Sequence, residues 1–549
     1  EGTLNIFNTD AGAAGVVTSK GIIGGSSKLA AINIGKTTVA GNVDFTAAAT
    51  VDGAITLIGG DSGNENSIID AGASLTAGSI VLNTASTGDA TLTGTADVTI
   101  TGVVDKTGAG AGEAIVSITA NETTFVNNIG GTTALDDIAI ATAGTIKAQS
   151  DVKATLTTLT GAAEITFTGS GAQTYDSVIT LAADDDGVIK NSNTGGEVTF
   201  EKAVGTATLG LTSITLDDGA KTNFNAAVFA ITLDINTNGE TTHFAVGGNE
   251  IGDTGTNAGA LDFAAGSVIE LGSAIGNGTV VFDTKTAIAG AGGVVLAGAG
   301  ITVKPSAQFT SGTIVLLDGD AANVSAAEKL LIKVQDTALT DYVVDDGGGT
   351  ATQDIGITAN AKSAKDTAAA LGLSVNEGKA AHQVMASSLN DSTLVTFLND
   401  SLAGINGKTV ADATALLDQA APQTETIAGS TVAAQGVTNS VQGIISNRMA
   451  SLRSGDAFAG SGMSAGSGMS AKSGFIQAFG STAEQKSRTV ITGFDSDSAG
   501  VAIGFDGISD AGTTVGVSLS MSNTDVEGKG IGKSKNDMDT YTASIYMDK

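Results

Sequence analysis

Apolar and polar positions alternate with a period of two over short stretches through most of this chain. Val98 and Ile100 alternate with Thr99 and Thr101, and Ile231, Leu233 and Ile235 alternate with Thr232 and Asp234. Val268–Leu271 and residues 280–282 and 314–317 are further short apolar runs. Between the runs, Asp217-Asp218-Gly219, Asn238-Gly239, Asn277-Gly278 and Asp318-Gly319-Asp320 supply the left-handed backbone positions of tight turns. Thr and Val suit a pleated surface, so the pattern reads as strand, turn, strand. It runs for some 340 residues without a helical period, more than one sandwich holds. Residues 1–345 are therefore predicted to form a solenoid of stacked rungs, a right-handed parallel β-helix. Tandem β-sandwiches are the alternative that spacing alone leaves open.

From about residue 357 the period changes to that of helices, and residues 346–453 are assigned to a helical junction. Ser374 and Glu377 make a capping box ahead of Ala381, Val384, Met385 and Leu389. Leu394, Phe397, Leu398 and Leu402 form a second stripe. Thr409 and Asp412 precede Ala413, Leu416 and Leu417, a run that Pro422 ends. A last helix carries Val437, Val441, Ile444, Ile445, Met449 and Leu452 on one side. Residues 454–473, with the copied Ala-Gly-Ser-Gly-Met-Ser at 459–464 and 465–470, read as a Gly/Ser-rich linker.

Residues 474–549 return to strands of a different kind. Val515, Val517, Leu519 and Met521 alternate without exception with Gly516, Ser518, Ser520 and Ser522. Val501, Ile503 and Phe505 alternate with Ala502, Gly504 and Asp506, and Tyr541, Ala543, Ile545 and Met547 with Thr542, Ser544 and Tyr546. Segments of about ten residues with one apolar face and one small, polar face are the signature of a transmembrane β-barrel. A half-buried soluble sheet shows the same alternation, so period alone leaves both readings standing.

Composition narrows the field. There is no Cys among 549 residues, which removes disulfide scaffolds, zinc fingers, iron–sulfur sites and thiol nucleophiles. The net charge of −31 repels phosphate backbones and excludes nucleic acid as a partner. That charge is uneven. From Ser440 onward there are nine basic and eleven acidic residues, so 26 − 9 = 17 basic and 57 − 11 = 46 acidic residues lie before it, a net −29. The aromatic content of 4% points to a core of thin Val, Ile, Leu and Ala layers.

The order of a long Gly/Thr/Asn-rich β region, an Ala-rich helical segment, an amphipathic helix and alternating strands resembles a bacterial type V autotransporter. The most specific stretch is Gly474-Phe475-Ile476-Gln477-Ala478-Phe479-Gly480-Ser481, followed by Gly493-Phe494-Asp495 and by Gly504-Phe505-Asp506. It is similar to the opening hairpin of the autotransporter β-domain. Residues 411–453, with Ala415-Leu416-Leu417-Asp418-Gln419-Ala420-Ala421-Pro422 and Ser446-Asn447-Arg448-Met449, are similar to the segment before the barrel. The texture of residues 1–345 resembles that of rickettsial-type outer-membrane surface antigens. The resemblance implies an outer-membrane location, a passenger at the cell surface, a plug helix in residues 346–453 and insertion by the barrel-assembly machinery. It also implies a barrel of about twelve strands, where this sequence holds roughly four. Glu1 is not preceded by a basic n-region and an apolar h-region. An internal fragment of a longer precursor, cut within the barrel, is the expectation.

Candidate chemistry is sparse. His243 and His382 fall in different regions, so no shared metal site or triad is expected. Asp184-Asp185-Asp186-Gly187, Asp345-Asp346 and residues 59–66 offer oxygen ligands without the spacing of a calcium loop. The glycines of residues 289–293 lack the Lys-Ser/Thr of a phosphate loop. Some autotransporters cleave at an Asn in the helix before the barrel. Asn439 and Asn447 lie there, without the adjacent Asn-Asn pair of that subgroup. No catalytic, cofactor-binding or metal-binding residue is assigned and no cofactor is expected. The resulting reading is a non-enzymatic passenger exported through its own barrel, an adhesin or surface coat meeting a host or neighbouring-cell surface. The alternatives are a calcium-dependent surface-layer or secreted β-protein without a barrel, and an enzyme passenger.

Overall fold

A computed structural model describes residues 2–7, 15–60, 66–252, 260–284, 294–296, 300–306, 308–319, 329–337, 339–345, 355–373, 378–383, 392–403, 407–420, 424–454, 469–488, 492–509, 511–530 and 533–549. Ser374, Glu377, Val384, Met385, Leu389, Pro422, Asp346, Asp320, residues 61–65 and 289–293 and most of the 454–473 linker lie outside them. The chain divides into two units, 1–336 with 340–361, and 337–339 with 362–549.

The first unit is a parallel β-solenoid, as the sequence pattern predicts. Its hydrogen-bond ladders merge into sheets of 19 and 14 strands. The strand registers resolve them into three faces, because long strands such as Val98–Thr107 turn a corner, here at a register shift between Thr101 and Val103. One face stacks residues 42–45, 67–71, 90–94, 114–118, 137–140, 156–159 and 178–181. The next stacks 98–100, 121–125, 144–148, 164–167, 188–191, 213–216, 232–235 and 260–263. The third stacks 173–175, 197–200, 221–224, 241–244, 268–271 and 301–304. Alternation explains the packing. Every second residue points inward, so Ile32, Ile55, Ile80, Val104 and their successors fill one continuous core while Thr, Lys and Asp take the outside. At the corners the chain needs backbone that only glycine accepts without strain. Gly130 has φ 72°, and an added Cβ would run into the Lys153 carbonyl of the next rung.

The core departs from the thin aliphatic layers expected. Tyr175, Phe200, Phe224 and Phe244 are register partners on the third face. Phe224 stacks on Phe200 at 5.1 Å and on Phe244 at 5.3 Å between ring centroids. Phe167 meets Tyr175 and Phe200 edge-on, and Phe282 meets Phe244 the same way. Parallel in-register pairing places identical residues one rung apart, which suits offset-stacked rings. Few aromatics suffice because they are concentrated in one column. Buried polar groups are satisfied across rungs too. Tyr175 donates to Thr157 Oγ1 at 2.7 Å, and Asn193 Nδ2 donates to Gln173 Oε1 and to the Gly171 carbonyl, both at 2.8 Å.

Two acidic register partners face outward. Asp234 pairs with Asp262 on adjacent rungs. Burial, and then the neighbouring carboxylate, push both acids above the usual range: Asp217 acts on Asp234, and Asp234 on Asp262. A carboxyl whose folded pKa is raised binds protons better in the native state, so its ionisation costs stability as pH rises above the unfolded value and the loss is recovered on acidification. Asp262→Asn is expected to raise the urea midpoint at pH 7 by the equivalent of less than about 1 kcal/mol, the two acids being water-screened. The gain should vanish below pH ~4, where both chains are protonated. Equal midpoints at pH 7 would remove the repulsion from the account.

The solenoid ends later than residue 345. Residues 312–319 pair in parallel with 280–284 and antiparallel with Ile355–Ala361, which pairs antiparallel with Thr340–Asp345. The change from parallel to antiparallel pairing finishes the stack with a hairpin, 340–361, whose second strand lies against residues 312–317. Ile355, Ile357 and Ala359 are buried in the solenoid core, so the segment expected to begin the helical region is a strand. The helical period of this stretch is carried only from Ala364 onward.

In the second unit, helix Ala364–Leu371 is capped by Ser363, which accepts from Asp366 N, and ends on Gly372 at φ 66°. Helix Val410–Ala420 starts on a reciprocal box: Asp412 N donates to Thr409 Oγ1 and Thr409 N to Asp412 Oδ2. Ser392–Ala403 carries the second stripe, with Leu398 buried. Thr424–Ser454 is one continuous helix. The four-stranded antiparallel meander of Met469–Gln485, Phe494–Ser509, Thr514–Gly528 and Lys535–Asp548 completes the unit. Its first strand opens at Met469, inside the stretch expected to be linker, because pairing with Ile508 and Ser509 continues past Gly474.

Candidate functional site

Polarity is inverted in the C-terminal sheet. On Thr514–Gly528, Ser518, Ser520, Ser522 and Thr524 are buried while Val517, Leu519 and Met521 are exposed; Leu519 is 63% exposed and Ser520 only 7%. A soluble sheet buries its apolar face. Here the cross-strand row Ile476, Ile503, Leu519, Ala543 lies on the outer face, next to the row Phe505, Val517, Ile545. The band spans six residue steps from Val515 to Met521, about 20 Å along the strand. Tyr541, paired with Met521, closes it on one side, where an interfacial aromatic belongs. Beyond Tyr541 the same face turns charged, with Asp525 opposite Asp537 and Glu527 opposite Lys535.

The connections point the same way. The loops at the charged end, residues 486–493 and 529–534, are longer than the turn at residues 510–513 at the apolar end. Outer-membrane barrels place short turns in the periplasm and longer loops outside. Among the described residues, the first and fourth strands are each paired on one side only. An unpaired edge in hydrocarbon leaves backbone groups unsatisfied, so a closed barrel needs further strands on both edges.

The buried polar face is covered by the Thr424–Ser454 helix. Its Gly429 lies so close to the sheet that a Cβ would come within 2.6 Å of Val526 and 2.9 Å of the Phe494 ring. Ala433 packs with Phe494 and Val526, and Val437, Val441 and Ile444 are buried further along. Ser534 Oγ donates to Glu425 at 3.0 Å and Asn536 Nδ2 to Ser430 Oγ at 2.6 Å near the helix start. Near its end Arg448 sends Nε to Asp506 Oδ2 at 2.8 Å and Nη2 to Oδ1 at 3.1 Å. The helix therefore enters from the charged, long-loop end and leaves at the short-turn end.

Cross-strand glycines make room for the rings on the inner face. Phe479 faces Gly500, Phe475 faces Gly504, and Tyr546 faces Gly516. A Cβ on Gly516 would overlap the Tyr546 ring. Gly516→Ala is expected to displace that ring and break its hydrogen bond to Asp506, lowering the temperature at which the closed barrel containing this sheet loses its compact gel mobility. Unchanged heat-modifiability would show that the ring has room elsewhere.

The remaining sequence candidates are scattered. His243 Nδ1 shares a 2.6 Å hydrogen bond with Asn223 Oδ1 on a solenoid face, and His382 Nε2 meets the Lys362 carbonyl in the other unit. Asp184 accepts from Gly210 N, Asp186 from Ala183 N, and Asp345 from Thr358 Oγ1. Among the described residues no group of three His, Asp or Glu is placed to hold a metal ion. Asn439 accepts from Gln435, and Asn447 is exposed. Sequence reasoning missed Arg448, Asp506, Tyr546 and Ser473 as a set. The available signal was a lone acid, Asp506, on the small-residue face of a strand.

Residues 474–549 match the family model of the autotransporter beta-domain. No curated protein and no solved structure matches the chain.

Proposed function

We propose that the solenoid of this type V secreted surface protein, whose residues 474–549 are autotransporter β-domain, acts at the cell surface as an adhesin or coat, without catalysis. The β-domain is an outer-membrane barrel, inserted by the barrel-assembly machinery, and it exports the passenger to the cell surface. The inverted polarity of the sheet, with Leu519 exposed and Ser520 buried, is the observation that carries the export reading. It corrects the alternative of a surface-layer protein without a barrel, for which an outward apolar band would be an aggregation liability.

The adhesive or coating role is supported by the solenoid's long ladders of outward Thr, Asp, Lys and Asn, an extended surface suited to many weak contacts. Its net acidity adds colloidal solubility. Export draws its energy from folding: rungs form outside, beginning near the antiparallel hairpin at residues 340–361, and each completed rung opposes back-sliding. A chain without Cys cannot be trapped by periplasmic disulfides on the way. The partner is a host or neighbouring-cell surface. The test is display on a Gram-negative host of the chain with its barrel closed by further strands, with and without the solenoid, followed by cell-to-cell aggregation and binding to host-cell monolayers. Gain of either with the solenoid supports the reading. Display with no gain in adhesion and no change in surface properties sinks it, as does a hydrolytic activity that follows the solenoid.

A further inference from the structure

Outward residues of the solenoid stack into columns, because parallel in-register pairing sets each side chain above its counterpart one rung away. On one face such a column runs Thr124, Lys147, Thr166, Lys190, Thr215 and Asp234, with a charge at every second rung. The face that stacks residues 67–71 to 178–181 is different. Its outward column holds Ile68, Ile115, Leu156, Val178, Ala203 and Ala227. Thr91 lies between the first two, and Asp137 between Ile115 and Leu156. Ile68, Leu156 and Val178 are 36–39% exposed. The neighbouring outward column, Thr93, Ser117, Ala139, Thr158 and Thr180, carries no charge. A single exposed valine is ordinary, but an apolar column in register marks an interaction surface.

We propose that this stripe docks a second copy of the solenoid, face to face, with the two stacks running in opposite directions. A half-turn about the strand direction lays each column on itself in reversed rung order, a self-complementary arrangement. Centred between the rungs of Asp137 and Leu156, it sets Ile68 against Ala227, Thr91 against Ala203 and Ile115 against Val178, the larger side chain against the smaller. In the neighbouring column Ala139 meets Thr158 and Ser117 meets Thr180. Charge favours this meeting place. Residues 1–439 carry a net −29, so copies repel over most of their surface, and the stripe is where two of them can close on each other. From Ile68 to Ala227 it rises about 34 Å, and two columns cover roughly 450 Å² on each copy, or 900 Å² in all. That is below the ~1,200 Å² of a stable interface, so one pair is short-lived and many displayed copies act together. The inference rests on the cell-surface reading above: copies anchored in one membrane start in the same sense, so a partner of opposite sense belongs to a neighbouring cell.

Asp137 is the brake on this contact. It is the one ionisable residue among those that line the two columns from Thr91 to Ala227. Its Oδ1 is shielded from water and has no hydrogen-bond partner among the described residues. Burial, and then Glu113, push its carboxyl above the usual range. In the docked pair it faces Leu156 of the second copy and loses the rest of its water, a cost its charge makes larger. Substitution tests this without the general loss of repulsion that acid would bring.

The absence of Cys makes the contact directly measurable. The chain, its barrel closed by further strands, is displayed on two populations of Gram-negative cells, one carrying Ala139→Cys and the other Thr158→Cys. A short bifunctional thiol reagent is added to the mixture, because facing sheets lie ~10 Å apart. These two should join into a dimer, and Thr199→Cys, on a different face, should join to neither. Val178→Asp in both populations should lower the dimer and cell-to-cell aggregation several-fold, while Thr199→Asp, of equal charge, leaves them unchanged. Asp137→Asn should raise both several-fold, and Asp262→Asn, the same change of charge on another face, should raise neither. If Val178→Asp fails to reach the surface, Asp137→Asn decides. A dimer no more abundant than that of the Thr199→Cys control, or equal effects of the paired variants, overturns the proposal. Host-cell binding by the solenoid without this dimer removes the second copy as partner and leaves the adhesive role standing.

Discussion

In the closed barrel to which residues 474–549 belong, Leu519→Arg prevents stable insertion in the outer membrane, and Glu527→Arg, on the same strand and the same face, leaves it inserted. Leu519 is in the middle of the outer band, flanked by Ile503 and Ala543, and a lipid-facing arginine at the midplane costs about 2–4 kcal/mol. Glu527 is past the band and pairs with Lys535 at the water-exposed end. Losing that surface ion pair costs no more than about 1 kcal/mol. Urea-driven unfolding from vesicles and heat-modifiability both read the difference. The comparison is informative because a soluble sheet predicts something else: an arginine replacing an already exposed residue would be harmless at both positions. Equal tolerance of the two variants would remove the membrane reading.

Phe224→Ala destabilises the solenoid by about 3–5 kcal/mol, the range for emptying a buried aromatic site. Phe224 is fully buried and stacked on both sides, so its loss removes two ring contacts and leaves a cavity bounded by rigid rungs. In a solenoid each rung is stabilised by its neighbours, so the damage spreads to the rungs carrying Phe200 and Phe244. Val178→Ala, at a residue 39% exposed on another face, should change the urea midpoint little. If folding outside the cell drives export, Phe224→Ala should also slow arrival of the solenoid at the surface. A normal export rate with a lowered urea midpoint would separate stability from translocation.

Much of this architecture was readable from period. Strict alternation at 515–522 located a strand whose two faces differ, but the letters do not say which face water sees. That depends on what covers the serines, and the cover is a helix 60 to 90 residues earlier in the sequence. The solenoid was legible as a class, and its aromatic column was not. Phe200, Phe224 and Phe244 are 24 and 20 residues apart, and corners of unequal length hide a register that pairing makes regular. Residues 355–361 were misjudged because Ala- and Ile-containing sequence fits both periods over seven residues. Their antiparallel partners, 312–319 and 340–345, settle the matter only in three dimensions. The Arg448–Asp506 pair, 58 residues apart, leaves no local trace at all.

The corners that obscure the repeat have a further effect on how such a surface changes over time. Asn121 pairs with Gly144 and Thr145 with Glu164, so successive rungs take 23 and 19 residues, while every rung adds the same ~4.8 Å of height. Length is thus quantised along the axis and free at the edges. Duplicating or deleting one full circuit changes reach by a single step and leaves every other strand pairing intact. A few residues gained at a corner alter only what protrudes there. The molecule can vary its outline without renegotiating its interior, which is the freedom an exposed bacterial surface protein needs under recognition by others.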